Sequence, residues 1–454
     1  MNQEISRLID SYREEYIRTL QEWVRIPSVQ SEPTEGAPFG PDVARMMKAG
    51  MKTAADMGFA VRDFDGYAFD ATLGDQPESV GVLGHLDVVP VGEGWTREPF
   101  GAEIENGRIY GRGSSDDKGP SLAALFAMKA LKEAGVPLRR SIRLIMGGDE
   151  EQRWESVRYY AAHAEMPKIG FSPDAMFPVI NTEKGMIRME LHFPAAENGL
   201  RILEMKAGER PNVIAGECRA LVEGGAELAE KTAEYARETG LDYRAEITER
   251  GVLLTAVGIQ GHSAYPEGRR SAIGMMILLL KKLGAEGGIA ELADAVGLET
   301  DGRSLGCACE DEVSGPLTNN LGILHLENGR WHATMDFRTP VCADPEKIRA
   351  ACAERMPGIE TEIGAFTPPH HVPAESELVT ALVAAYEEET GLDGTPQFTG
   401  GGTFGRVMEQ GVAYGAVFPE EDDVAHQPDE YASLDSLTAS IRIYANALMR
   451  LAAE

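Results

Sequence analysis

The stretch Val80–Pro120, VGVLGHLDVVPVGEGWTREPFGAEIENGRIYGRGSSDDKGP, constrains this chain more than any other. It opens with a short apolar run, Val80–Leu83, closed by Gly84, which reads as a buried strand. His85 and Asp87 follow directly, one residue apart. At the far end a glycine-spaced turn, Gly111-Arg-Gly-Ser-Ser, presents Asp116 and Asp117. Pro120 then opens an amphipathic helix pattern over Ser121–Lys132, with proline at a tolerated first-turn position. An imidazole and a carboxylate pair thus stand at the edges of regular elements, a placement that suits a metal site better than a packed core.

The same alternation continues on both sides. Ile5, Leu8, Ile9, Tyr12, Tyr16 and Leu20 share one face of a helix over 4–24, and a second helix is expected over 41–57. Residues 60–73 have strand character. After the helix that follows Pro120, the strand Ser141-Ile-Arg-Leu-Ile-Met runs into Gly147-Gly-Asp-Glu-Glu. A helix near 155–164 precedes Lys168-Ile-Gly-Phe and Ser172-Pro-Asp. Strands alternating with helices, each strand ending in acids or histidine, describe an α/β layered domain, whose ligands gather beyond the carboxyl ends of the strands. Past Gly185 the texture changes to strand-like segments (187–193, 251–258, 332–337) mixed with long helical patterns (226–239, 271–283). Residues 186–372 therefore read as a separate α+β domain inserted into the first, which spans 1–185 and resumes over 373–454. The resumed part carries a helix to Thr390, glycines 400–402, a strand near 412–418, then His426 and a closing helix over 433–451.

Charge and composition remove several function classes. At 454 residues the chain can bury at least one sizeable core. A net charge of −30 argues against nucleic acid or an anionic membrane surface as partner. The five cysteines are too few and too scattered for a disulfide framework, and their odd number favours a reducing compartment. The first twenty residues carry acids from Glu4 onward and no apolar core, unlike a signal peptide, and the aliphatic run Met275–Leu280 is far too short to span a bilayer. A cytoplasmic protein is expected.

The residues left to carry chemistry are His85, Asp87, Asp116, Glu150, Glu151, Asp174 and His426. Imidazole and carboxylate donors suit Zn²⁺ or Mn²⁺. A two-ion hydrolytic centre needs about five protein ligands, one of them a bridging carboxylate, plus a free carboxylate to take a proton. This set supplies that number with one acid to spare.

Five segments then carry a resemblance: Gly84-His-Leu-Asp-Val-Val-Pro, Gly111-Arg-Gly-Ser-Ser-Asp-Asp-Lys-Gly-Pro, Asp149-Glu-Glu-Gln-Arg-Trp, Ser172-Pro-Asp-Ala-Met-Phe-Pro and His426-Gln-Pro-Asp-Glu-Tyr. In this order they resemble the M20 metallopeptidases, and within them the PepV-type (Xaa-His, carnosinase-like) dipeptidases, over nearly the whole chain. The resemblance implies a dinuclear-metal exopeptidase domain with an inserted lid. It assigns His85 and Asp174 to one ion, Glu151 and His426 to the other, and Asp116 as the bridge between two divalent ions, zinc first and manganese second. It makes Asp87 the acid that fixes the His85 ring and Glu150 the general base. Asp117 and Lys118 are assigned turn and surface electrostatics.

By the same resemblance His262, in Gly261-His-Ser-Ala-Tyr-Pro, stabilises the oxyanion, and Asn212 and Arg338 hold the oxyanion and the substrate carboxylate. Gly400-Gly-Gly-Thr-Phe-Gly lacks the lysine of a P-loop, so Gly401 and Gly402 read as an amide cradle for a carboxylate. His370-His371, in a proline-rich connector, read as a solvated loop, and Trp95 and Trp154 as packing residues. His163, His192, His325 and His332 are set aside. Gln152-Arg153 stand where many relatives carry a small residue, which bears on the pocket's shape. The long insert favours a monomer. The expected activity is hydrolysis of small unblocked dipeptides. The alternatives are an N-acyl amino acid amidohydrolase (desuccinylase or aminoacylase type) on the same centre, and a non-catalytic peptide- or metal-binding protein, whose signature would be a lost ligand or base.

Overall fold

The computed structural model describes residues 3–453. The chain forms two compact units, one built from residues 1–181, 372–397 and 402–454, the other from 182–371 and 398–401.

The first unit is a mixed α/β layer structure. Its sheet runs in the order Ala60–Phe64, Ala68–Leu73, Ser141–Gly147, Ser79–His85, Ile169–Ser172, Gln410–Tyr414, Val179–Glu183. Four neighbouring strands, Ser141–Gly147, Ser79–His85, Ile169–Ser172 and Gln410–Tyr414, are parallel. Strands that are parallel and buried on both faces read as near-continuous apolar runs. Val80, Val82, Ile142, Leu144 and Phe171 pack on one face against helices Gln3–Val24, Lys118–Glu133 and Leu434–Ala452. Leu83 and Ile145 face the other way, toward Val157, Tyr160 and Phe404. Gly81 and Gly170 are partners in this sheet, and a Cβ on Gly170 would lie 2.1 Å from the Gly81 carbonyl oxygen. Because the four strands share a direction, their carboxyl ends share one edge.

Two sequence expectations change in detail here. The strand character of 60–73 resolves into two antiparallel strands, because Asp65 and Gly66 turn the chain at φ of 52° and 75°. The strand near 412–418 divides into Gln410–Tyr414 and Ala416–Val417 at Gly415, which has φ of 72° and where a Cβ would meet the Phe177 ring at 2.3 Å.

The second unit is an eight-stranded antiparallel sheet, ordered Asp242–Thr248, Gly251–Val257, Glu217–Val222, Ile202–Ala207, Thr318–Glu327, Arg330–Thr339, Gly185–Pro194, Glu360–Thr367. Period-two patterning gives it one dry face. Ile187, Met189, Leu191 and Phe193 point into a core shared with helices Ala272–Lys282, Gly288–Ala295 and Pro345–Arg355. Arg188, Glu190 and His192 alternate onto the other face. Ser271 starts the most apolar helix of this unit, its hydroxyl accepting from Gly274 N at 3.1 Å. His370 and His371 depart from the solvated-loop expectation. They are half-buried and form a short strand paired with Glu183 and Thr182, with the His371 Nδ1 2.8 Å from Thr182 Oγ1. A free strand edge offered their backbone hydrogen bonds that solvent exposure does not.

Candidate metal centre

Most candidate side chains of the first unit follow a parallel strand, while Asp116 lies in the turn between the short antiparallel strand Arg108–Tyr110 and the helix from Lys118. His85 is the last residue of Ser79–His85, with Asp87 two positions on. Glu150 and Glu151 come after Ser141–Gly147, and Asp174 after Ile169–Ser172. His426 arrives by a longer loop after Gln410–Tyr414 and sits at φ of 64°.

The structure draws these residues into two groups that share one member: His85, Asp116 and Asp174, and Asp116, Glu151 and His426. Asp116 divides its carboxylate between them. Its Oδ1 lies 3.0 Å from His85 Nε2, and its Oδ2 lies 2.9 Å from His426 Nε2. Asp174 Oδ2 is 3.7 Å from His85 Nε2, and Glu151 Oε2 is 3.1 Å from His426 Nε2. His85 Nε2 and Asp116 Oδ1 are buried atoms without a hydrogen-bond partner. Buried polar atoms are paired in the great majority of cases, so two facing orphans, one imidazole and one carboxylate, fit a cation between them.

The electrostatics agree with that fit. Burial and the Asp116 charge push the Asp174 carboxyl up to about 7. Burial, then the charge of Asp174, raises Glu150 well above the carboxylate range, and burial with Asp116 raises Glu151. The imidazoles move the same way. Against the burial penalty, Asp116 and Glu151 hold His426 up at about 11, and Asp116 and Asp87 hold His85 well above its ordinary value. Burial is likewise outweighed at Asp116, which the two neighbouring imidazoles, His426 and His85, keep far below its usual range. A crowd of carboxylates that retains protons is a site where divalent cations replace them.

Asp87 is fully buried. Its Oδ1 lies 3.5 Å from His85 Nδ1 and accepts from Glu150 N at 3.0 Å, while Oδ2 accepts from Glu151 N at 3.2 Å. His85 Nδ1 donates to the Asp87 main-chain carbonyl at 3.1 Å, so residue 87 orients the ring through its backbone, with its carboxylate charge close by, while the carboxylate pins the backbone of the adjacent glutamates. Gln30, which the sequence reading missed, steadies it: Nε2 donates to Asp87 Oδ2 at 3.2 Å and Asp149 Oδ1 at 2.6 Å. Gln30 lies in an irregular loop with no motif of its own, so no local signal marked it. Asp87→Asn puts an amide donor where backbone N–H groups donate. Its expected result is about 10–100-fold weaker metal binding, read by chelator competition, with the fold retained.

A second support was also missed. Glu430 belongs to the His426 segment but carried no assignment. Buried, it accepts through Oε1 from the backbone N–H of Gly113 at 3.0 Å, Ser115 at 3.1 Å and Asp116 at 3.4 Å. Its Oε2 pairs with Arg112 Nη1 at 2.5 Å, and Arg112 Nη2 donates to the His426 carbonyl at 3.3 Å. One buried ion pair thus ties the Asp116 turn to the His426 loop. The surface assignment of Asp117 and Lys118 is corrected here, because both are fully buried. Asp117 Oδ2 accepts from His85 N at 3.1 Å and from Ser121 Oγ at 2.6 Å. Lys118 Nζ donates to the Trp23 and Ile26 carbonyls at 3.1 and 2.7 Å, and burial lowers its pKa to about 7. The turn is covered by the end of helix Gln3–Val24, and a turn read locally gives no sign of that cover. Trp154 packs as expected, its ring edge-on to Phe404 at 5.4 Å between centroids.

The remaining candidates gather in the second unit, apart from Gly402, which belongs to the first. Val213 pairs with His262 across two short strands, and the Asn212 amide nitrogen lies 3.5 Å from His262 Nε2. Ala264 N donates to His262 Nδ1 at 3.1 Å, which leaves the proton of the neutral ring on Nε2. Burial, then the Arg338 charge, lowers the His262 pKa and keeps that neutral form. Arg338 is buried, bonded through Nε to Asp336 Oδ2 at 2.8 Å and through Nη1 to the Gly400 carbonyl at 2.7 Å. Gly401 N donates to Thr399 Oγ1 at 3.1 Å.

Known proteins match over the whole chain. Residues 81–450 match the family described as peptidase family M20/M25/M40. The putative dipeptidase YtjP of Bacillus subtilis is 37% identical, with 97% of this chain and 98% of that protein aligned. The β-Ala-Xaa dipeptidase of Lactobacillus delbrueckii subsp. lactis is 34% identical, with 99% of each covered. Among solved structures, human carnosine dipeptidase 1 superposes with a TM-score of 0.60 at 15% identity over 99% of both chains, a likeness of fold.

Proposed function

The chain belongs to peptidase family M20/M25/M40, and from that premise we propose how it works as a metal-dependent dipeptidase. The observation that carries the reading is the Asp116 carboxylate, whose two oxygens face two different imidazoles. His85 and Asp174 would hold one divalent ion, Glu151 and His426 the other, and Asp116 would serve both. Imidazole and carboxylate donors without a thiolate suit zinc first, with manganese as the second choice. When bound, two such ions polarise the scissile carbonyl and make an attacking water more acidic.

The rest is done by the chain's own side chains. Glu150, held by the Asp87–Glu150 backbone bond and with its proton affinity raised by burial, takes the proton of the attacking water and delivers it to the leaving amine. His262, neutral and protonated at Nε2, would donate to the developing oxyanion, with Asn212 as its neighbour. Arg338 and the amides at Gly401 and Gly402 are read as the terminus-binding groups, with Arg338 fixed by Asp336. The substrate is a small unblocked dipeptide, in keeping with what the relatives' names say of those proteins. A catalytic domain over 1–185 and 373–454 with an inserted lid over 186–372, a monomeric state and a cytoplasmic location complete the reading. Five free cysteines support that location, and the charge of −30 disfavours nucleic acid and anionic membrane. Among the described residues no helix is long and apolar enough to cross a membrane.

The test is hydrolysis of β-Ala-His, Ala-Leu and Leu-Gly beside N-succinyl and N-acetyl amino acids, on chelated protein and again after Zn²⁺ or Mn²⁺ is restored. Metal-dependent cleavage confined to the dipeptides is expected. Cleavage confined to the acylated compounds would move the protein to the amidohydrolases.

A further inference from the structure

A row of side chains crosses the solvent face of the second unit's sheet. In register, Lys206 stands opposite His325, His325 opposite His332, His332 opposite His192, and His192 opposite Glu360. Directly opposed residues of antiparallel strands point to the same side, with Cβ atoms about 4.5–5.5 Å apart. Three imidazoles and a carboxylate therefore lie on adjacent strands of one face, outside the groups at Asp116. Two of the rings meet: His192 Nδ1 lies 3.0 Å from His332 Nδ1, with ring planes at 71°. His192 is half-buried and His332 exposed, so the pair is open to solvent.

Two ring nitrogens aimed at each other share either one proton or one cation. With metal–nitrogen bonds of about 2.05 Å, the 3.0 Å separation subtends about 94° at a common ion. Regular tetrahedral geometry would need nitrogens about 3.3 Å apart at that bond length. The separation is closer to that of neighbouring positions in a square-planar or tetragonal ion, the geometry of Cu²⁺ and Ni²⁺ with nitrogen ligands. Glu360 stands opposite His192 on the edge strand, and water would complete the coordination of a bound ion. His325 is engaged elsewhere, its Nε2 3.4 Å from the Gly208 carbonyl.

We propose that His192 and His332 form a two-imidazole binding site for a divalent first-row transition ion, Cu²⁺ above Ni²⁺, on the open face of the second unit's sheet. The site is independent of the dipeptidase reading, because none of its residues belongs to that machinery.

Full-length protein with its Asp116 groups already filled with zinc would be titrated with Cu²⁺ and followed by electron paramagnetic resonance, with zinc release monitored. The wild type is expected to take up one copper without losing zinc, in a tetragonal spectrum with coupling to two nitrogens. Loss of an outer support alone weakens metal sites about 10–100-fold, so His192→Ala and His332→Ala should each weaken copper binding by at least about tenfold. His163→Ala, at an exposed position in the first unit, should leave it unchanged, and dipeptide hydrolysis by the zinc form should be the same in all three. Copper uptake matched by zinc release overturns the proposal, and so does equal copper affinity in wild type, His192→Ala and His332→Ala.

Discussion

Glu150→Gln is expected to lower kcat for dipeptide hydrolysis by about 10³–10⁴-fold while leaving the metal content and KM nearly unchanged, at the upper end of what a positioned acid–base group supplies. The amide keeps the size of the side chain and the backbone bond to Asp87 Oδ1, so the surroundings are preserved. What it loses is the ability to accept a proton from water and return it to the amine. Glu150 suits that task because burial and the nearby Asp174 raise its affinity for a proton, and neither effect survives on a neutral amide. Metal analysis beside steady-state kinetics separates the roles. Full activity with two ions bound would remove Glu150 from the mechanism. A loss of one ion would make it a ligand instead.

Asp116→Ala carries the other large effect. Its two oxygens serve two imidazoles 3.0 and 2.9 Å away, so removing it strips a donor from both groups at once. Both ions are expected to be lost at concentrations that saturate the wild type. Ions of this kind contribute several kcal/mol in the transition state, and each 1.36 kcal/mol is tenfold, so activity should fall by about 10³-fold or more. His426→Ala removes one group only and should cost one ion. Equal stoichiometry in the two variants, read by metal analysis after gel filtration, would end the bridging assignment of Asp116.

The extent to which these residues could be found in advance follows from how local their signals are. The helix expected over 41–57 is observed as Pro41–Asp56, with proline at its start, and the one expected over 226–239 is observed as Ala226–Thr239, closing on Gly240 at φ of 70°. Apolar period, caps and turn glycines are written within a few neighbouring positions. The same holds for His85, Glu150, Glu151 and Asp174, each at or just past the end of a strand whose parallel direction is implied by the helices between. Placing four strand ends on one edge then gathers the side chains that follow them.

Other features depend on residues far apart in the chain. Arg112 and Glu430 have no common motif, yet their buried pair supports the turn that presents Asp116 and the loop that presents His426. Lys118 looks like a surface lysine until the end of helix Gln3–Val24 and the turn that follows it each supply a carbonyl. Gln30 is an ordinary loop residue until it meets Asp87. His192 and His332 lie on strands whose pairing is set by register. The sequence by itself determined the elements, their order and the donors that end them, because propensity and periodicity act between near neighbours. The tertiary structure alone decided which polar groups lose water together, because desolvation and the partner that offsets it depend on distance in space.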